Sequence, residues 1–206
     1  MKSRICLIRH SITEANQKML YYGYADIPLA AEGETLVKQL AADGVYPDAE
    51  GADLYTTGML RTEQTLALIY GEREHEVIDS LREMNFGSFE MKSHAELKTQ
   101  EAYQIWHADQ TGTLEPPEGE SIVGFAQRII GGFEELKKKH ALRELALRHH
   151  EQEAVSIMVC HGGTIAAILD HCFPGQKKIF YEWIPDPGHG YMLYLEDGVV
   201  VRQEQF

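Results

Sequence analysis

Two apolar runs in this chain end the same way. Arg4–Arg9 (RICLIR) leads into His10, and Ala154–Cys160 (AVSIMVC) leads into His161-Gly162-Gly163. Each is short and carries β-branched residues, so each reads as a buried strand. Between them strand-like and helix-like stretches alternate. Asp53–Thr56 and Val77–Ile78 read as short strands. Glu32–Ala42 has helical spacing with Leu36 and Leu40 on one face, and Met59–Tyr70 is a helix that turns Leu60, Leu66, Leu68 and Ile69 mostly inward. Strands separated by helices predict an α/β fold, a three-layer sandwich whose mostly parallel central sheet has helices on both faces. Ligands of such sheets sit beyond the carboxyl ends of the strands, where His10 and His161 stand.

The other segments fit that frame. Ser11–Leu20 reads as a polar helix, with a loop near Gly23–Pro28, and His94–His107 reads as one helix. Residues 111–119 hold two prolines and two glycines and read as loop. Ser121 is an N-cap for a long helix carrying Ile122, Phe125, Ile129, Phe133 and Leu136, which the charged stretch 137–153 extends or follows with a second helix. Thr164–His171 is helical. Asp197-Gly198 between Tyr191–Leu195 and Val199–Arg202 is a hairpin signal. No repeat or linker interrupts the chain, so residues 1–206 are expected to form a single domain.

Charge narrows the function. The chain has 19 basic and 32 acidic residues, a formal net charge of −13, which argues against a nucleic-acid or anionic-membrane partner. It leaves room for an anionic substrate, because a few arginines in one cleft reverse the local field. No segment has the roughly 18 apolar residues of a membrane span. The 3 cysteines are an odd number, read as reduced thiols of a cytoplasmic protein. Cys6 and Cys160 lie in apolar strands and read as core residues. Their spacing fits no zinc site. His149 and His150 read as solvated surface, so no metal or cofactor is expected.

Arginine supplies the next clue. Arg9 precedes His10, and Arg61 opens a helix after another strand. Two guanidiniums and two imidazoles at one sheet edge describe a phosphate pocket, since the guanidinium fork matches phosphate oxygens.

These residues fall into five ordered segments. They are Arg9-His10 with Thr13 and Asn16, followed by Gly23, Asp26, Pro28, Leu29 and Gly33; Thr57, Arg61 and Thr65; Leu81-Arg82-Glu83-Met84-Asn85-Phe86-Gly87 with Glu90; Glu118-Gly119-Glu120-Ser121; and Cys160-His161-Gly162-Gly163. In this arrangement the chain resembles the histidine phosphatase superfamily, the phosphoglycerate-mutase-like fold, over nearly its whole length. The resemblance implies that His10 is the nucleophile and forms a phosphohistidine. It implies that Arg9, Arg61 and His161 hold the phosphoryl oxygens. Asn16, Gly23 and the Gly162 amide are the expected substrate contacts. Glu83 is the expected general acid, with Glu14 and Glu90 as weaker competitors that face solvent.

The chain departs from the family pattern at Ser11, which replaces the usual glycine and either crowds the pocket or bonds the phosphate, and at Ala15, where many members carry an aromatic residue. The main reading is a phosphomonoesterase for small phosphorylated metabolites, with sugar phosphates, phosphoglycerate, nucleotides and alpha-ribazole phosphate all fitting. Two alternatives stand beside it. One is a cofactor-dependent phosphoglycerate mutase, disfavoured because Met91–Asp109 holds only Lys92 and Lys98 as Lys or Arg. The other is a phosphate-binding regulatory protein that has lost turnover. Tyr21, Tyr22, Tyr24, Trp106 and Phe86 are candidates for a mouth that takes an apolar or ring-bearing leaving group.

Overall fold

The computed structural model describes residues 3–148, 152–177 and 179–206. His149 and His150 lie outside the described residues. Strands β1 (Ser3–Arg9), β3 (Asp53–Thr56), β4 (Glu76–Val77) and β6 (Ala154–Cys160) form the parallel part of a six-stranded sheet of order β4-β3-β6-β1-β7-β8. The hairpin β7 (Gly190–Glu196) and β8 (Val199–Gln205) adds antiparallel strands beside β1. A two-stranded ribbon of β2 (Leu20–Tyr21) and β5 (Lys92–Ser93) stands apart. This is the expected mostly parallel α/β sandwich.

Side chains alternate across the central strands, as the pleat requires. Ile5, Leu7, Met158 and Cys160 face α6 (Ile122–Leu147) and α7 (Gly162–Cys172), packing with Phe125, Ile129, Phe133 and Ile165. Cys6, Ile8, Ile157 and Val159 face the other way, against Leu66 of α3 (Leu60–Tyr70), which α2 (Ala31–Ala42) covers. Both strand cysteines are fully buried free thiols, pushed up by burial. Among the described residues, no helix is long and apolar enough to cross a membrane.

Several local expectations change in the structure. The polar stretch after His10 is helical only over α1 (Glu14–Gln17). Thr13 and Asn16 close a capping box there, and Met19 turns into the left-handed region at φ 51°, which sends the chain into β2. His94–His107 breaks into α4 (His94–Leu97) and α5 (Glu101–Ala108). The break lets Leu97 and Tyr103 bury against Phe89 in one small core. In α2 the buried stripe is Gly33 and Val37, with Leu36 and Leu40 half-buried. Leu60 and Ile122, first residues of their helices, are exposed.

α6 is anchored beneath the sheet by a histidine that the sequence gives no reason to single out. His140 is 1% exposed, with Nε2 against Ser3 Oγ and Nδ1 2.8 Å from Ser156 Oγ. Burial holds its pKa below the usual imidazole range, although Glu144 and Asp53 pull the other way. Above about pH 6.5 the histidine is neutral folded or unfolded. As pH falls, the unfolded chain takes the proton first, so stability is lost, at up to about 1.4 kcal/mol per pH unit for one such group. The urea midpoint should therefore drop between pH 7.5 and 5.5, and His140→Gln should show a shallower drop than the parent. Identical slopes would mean that His140 carries its charge in the folded state.

Candidate active site

The register of β1 on β6 pairs Arg9 with Cys160, so His10 and His161 leave neighbouring strands at matched positions. Their rings lie 5.3 Å apart in an edge contact. β3, on the far side of β6, delivers Thr57 at its end and Arg61 in the first turn of α3. Arg9, His10, Arg61, Glu83, Asn16 and Gly162 all line one cleft of about 640 Å³.

His10 is 3% exposed. Its Nδ1 donates to the Ser11 carbonyl at 2.7 Å. Nε2 then carries the lone pair and, among the described residues, has only the Tyr22 hydroxyl near it, at 3.5 Å. Burial, Arg61 and Arg9 push the His10 pKa well below the usual imidazole value, so the ring is neutral. A neutral imidazole with one nitrogen anchored and the other free is a poised nucleophile.

The cations around it form no ion pair among the described residues. Arg61 is fully buried, and its terminal nitrogens donate to the Gly23 carbonyl at 2.7 Å and the Ala25 carbonyl at 3.0 Å. Arg9 donates to the Pro185 carbonyl at 2.7 Å. Neither forms a salt bridge among the described residues. The Nε of each has no hydrogen-bond partner, and neither has Nδ1 of fully buried His161. Unpaired buried donors are costly. Three of them from three elements around one nucleophile mark the place of an anion with several acceptor oxygens. His161 itself is turned by Thr57, whose hydroxyl lies 2.9 Å from Nε2. Burial, Arg61 and His10 push the His161 pKa well below the usual imidazole value; a bound phosphate dianion opposes that shift.

Glu83 is half-buried at the start of α7, where its Oε2 accepts from the Gly163 amide at 2.8 Å and its Oε1 from Met84 at 3.0 Å. Burial raises its pKa, against the pull of those amides and both arginines. That direction suits a carboxyl that must hold a proton near neutral pH. The two glycines of α7 make this packing possible. A Cβ on Gly163 would lie 2.4 Å from Glu83 Oε1, and one on Gly162 would lie 3.1 Å from Arg9 Nε.

Other sequence candidates land elsewhere. Gly23 does not line the cleft; its amide is held by Glu90 and its carbonyl by Arg61. Glu90 does not face solvent as expected. Its carboxylate gathers the amides of Gly23, Tyr24, Ala25 and Phe86 at 3.0–3.1 Å, and so fixes the loop that holds Arg61. Glu14 is on the surface with Lys18. Asn16 reaches the cleft, but Oδ1 is taken by Thr13 and by Tyr22 at 2.8 Å, leaving its NH₂ as the group for a ligand. Ser11 neither crowds the pocket nor reaches toward a phosphate. Its hydroxyl donates to Gly33 O in α2 at 2.8 Å.

Two further contributors stand out: Tyr22, which the sequence places only among the aromatics of a mouth, and Arg128, which it does not single out. Tyr22 stands between His10, Asn16 and the Arg61 guanidinium, which lies 5.0 Å from its ring centroid. Arg128 of α6 donates to the carbonyls of Ser80, Arg82 and Glu83 and pairs with Glu120, whose Oε1 also accepts from Asn85. It frames the Glu83 segment from behind. An arginine on the inner side of an otherwise apolar helix stripe was the available signal.

Arg61 therefore clamps the Gly23–Ala25 loop and is also a candidate phosphate ligand. Arg61→Ala should cost about a hundredfold in kcat/KM, the scale of one charge-assisted donor in such a site. Arg61→Lys should recover little of it, because an ammonium cannot span two carbonyls and a phosphate. Steady-state kinetics of both variants check this; parental values would place Arg61 outside the chemistry.

The family model of the histidine phosphatase superfamily (branch 1) matches residues 5–201. The adenosylcobalamin/alpha-ribazole phosphatase of Escherichia coli is 28% identical over 191 residues, 90% of this chain and 86% of that one. A 2,3-bisphosphoglycerate-dependent phosphoglycerate mutase of Methylobacterium radiotolerans is 27% identical, covering 82% of this chain and 84% of its own. The crystal structure of the alpha-ribazole phosphatase from Shigella flexneri superposes with a TM-score of 0.71 at 26% identity, over 97% of this chain and 94% of that one. On the match of nearly its whole length, the chain belongs to branch 1 of the histidine phosphatase superfamily.

Proposed function

We propose that this phosphatase hydrolyses small phosphomonoesters in the cytoplasm through a phosphohistidine on His10 Nε2, without a metal ion, residues 1–206 working as one domain. The observation that carries the reading is the set of buried, partnerless nitrogens on Arg9, Arg61 and His161 around the free Nε2 of His10. In the first step Nε2 attacks phosphorus in line with the ester oxygen. Arg9, Arg61 and His161 take the three equatorial oxygens, with the Asn16 NH₂ and the Gly162 amide at the N-terminus of α7 as further donors. Glu83 gives its proton to the departing alkoxide. In the second step Glu83 takes a proton from water as that water attacks the phosphohistidine, and phosphate leaves.

Two guanidiniums supply the charge neutralisation that a cation otherwise provides, which supports metal-independent chemistry. Among the described residues no cluster of three or more His, Cys, Asp or Glu is placed to hold a metal. The test is release of inorganic phosphate from a panel of esters in excess EDTA, with acid-labile, base-stable phosphoprotein trapped on rapid quench. Turnover lost in EDTA and restored by a divalent cation would overturn metal independence. Isomerised phosphoglycerate as the main product, in place of free phosphate, would make the protein a mutase.

A further inference from the structure

We propose that the part of the cleft beyond the phosphoryl groups is a leaving-group subsite for a flat, apolar ring system that carries no second anion. The inference rests on the phosphatase reading and concerns the walls that the bond-breaking chemistry leaves unused.

Three aromatic rings from separate segments meet on one side. Tyr21 of β2 lies 5.3 Å from Phe86, which follows Glu83, and 5.8 Å from Trp106 of α5. The Tyr21 hydroxyl is tied to that of buried Tyr103 at 2.7 Å, and Tyr103 in turn to His94 Nδ1 at 2.7 Å. This wall is therefore held in place before any ligand arrives, so little ordering cost falls on binding. Phe180 and Ile184, from the segment after α7, also line the cleft, and Phe125 lines it from α6. The rim is apolar too, with Tyr181 72% and Ile122 46% exposed among the lining residues. Single exposed apolar side chains are ordinary; these continue the lining of a cavity whose inner end binds phosphate.

Charge sets the second half of the inference. The guanidiniums in the lining are Arg9 and Arg61, both engaged at the His10 end; among the described residues no lysine lines the cleft, and His107 is the basic side chain on its outer part. The acidic groups are Glu83 and, at the end of α5, Asp109. Bonds from the Thr111 hydroxyl and from the amides of Leu114 and Thr111 pull the Asp109 carboxyl down to about 2, so it is an anion throughout the working range. A leaving group with its own phosphate or carboxylate would meet that carboxylate and, among the described residues, find no free guanidinium or ammonium in the lining. A neutral ring would meet Tyr21, Phe86 and Trp106 by stacking or edge contact.

The experiment compares 2-phenylethyl phosphate, ethyl phosphate and 3-phosphoglycerate, all of which expel an alkoxide. The expected kcat/KM for the phenylethyl ester is at least about tenfold above the ethyl ester, carried mainly by KM, which is the scale a hydrophobic pocket gives for added apolar groups. The phosphoglycerate value should lie below both. Trp106→Ala and, independently on the opposite segment, Phe180→Ala should each shrink the phenylethyl-to-ethyl ratio to near one. Asp109→Lys should raise kcat/KM for phosphoglycerate. Equal values for the three esters, a preference for phosphoglycerate, or a ratio that survives in both aromatic variants would overturn the subsite while leaving the phosphatase reading intact. If none of the three esters is turned over, the phosphatase reading falls and the subsite with it.

Discussion

His10→Ala should leave a folded protein without measurable turnover. Loss of a nucleophile that acts with its neighbours as a unit costs on the order of 10⁶ in kcat, and Nε2 of His10 is the nitrogen left available when Nδ1 is bonded to Ser11 O. His10 lies past the end of β1 and contributes no apolar packing, so the strand keeps its pairing with β6 and β7. The structural losses are the Nδ1–H bond to Ser11 O, worth about 1 kcal/mol, and the edge contacts of the ring with His161 and Tyr22. Activity and a urea melt on the same preparation check both halves. The variant should also form no phosphoprotein on rapid quench, while still binding inorganic phosphate through Arg9 and Arg61. Folded protein with substantial turnover would remove His10 from the nucleophile's role.

Glu83→Gln should lose at least roughly a hundredfold on alkyl phosphates and much less in the phosphorylation step with p-nitrophenyl phosphate. A general acid matters in proportion to the basicity of the oxygen it protonates, and nitrophenolate departs with little help. The structure adds a complication. Glu83 accepts from two amides, Met84 and Gly163. Glutamine can accept from one of them, but its NH₂ meets the other donor head-on, so the variant is not a silent isostere. A displaced side chain harms both substrates alike, whereas a missing proton harms the alkyl ester selectively. Single-turnover rates separate phosphorylation from dephosphorylation, where the same carboxylate serves as base. The raised pKa of Glu83 also gives a sign to the pH profile. The phosphorylation rate on alkyl esters should fall as pH rises through that pKa, and this limb should vanish in Glu83→Gln. Equal losses on both leaving groups would make Glu83 a positioning residue.

Glu90 and Ser11 show where reading a sequence stops. Residue type and position suggest a spare acid facing solvent for Glu90, and for Ser11 a hydroxyl that crowds the pocket or bonds the phosphate. Glu90 instead collects four amides from two loops, and Ser11 bonds a helix carbonyl. Each role depends on backbone groups brought together by tertiary structure, and no residue type advertises an amide. Gly23 is the same case, since its contribution is a carbonyl offered to Arg61. The break between α4 and α5 left one trace, since Leu97 and Tyr103 would point about 120° apart on a continuous helix and share a core because it breaks.

By itself the sequence determined the sheet, its edge and the residues that gather around His10. Apolar runs of strand length must be buried on both faces, and helices between them force a parallel order that collects Arg9, His10, Thr57, Arg61 and His161 at one set of strand ends. Periodicity is local, so it survives in the sequence. Tertiary structure decided the protonation and the partners. Which nitrogen of His10 is free follows from Ser11 O at 2.7 Å. Whether a buried guanidinium is a structural ion or a waiting ligand follows from which of its donors remain unpaired, and the lining of the leaving-group side follows from β2, α5 and the segment after α7 meeting across the chain. Hydrogen bonding and desolvation act through distances of a few ångströms between residues far apart in sequence, and only the folded chain sets those distances.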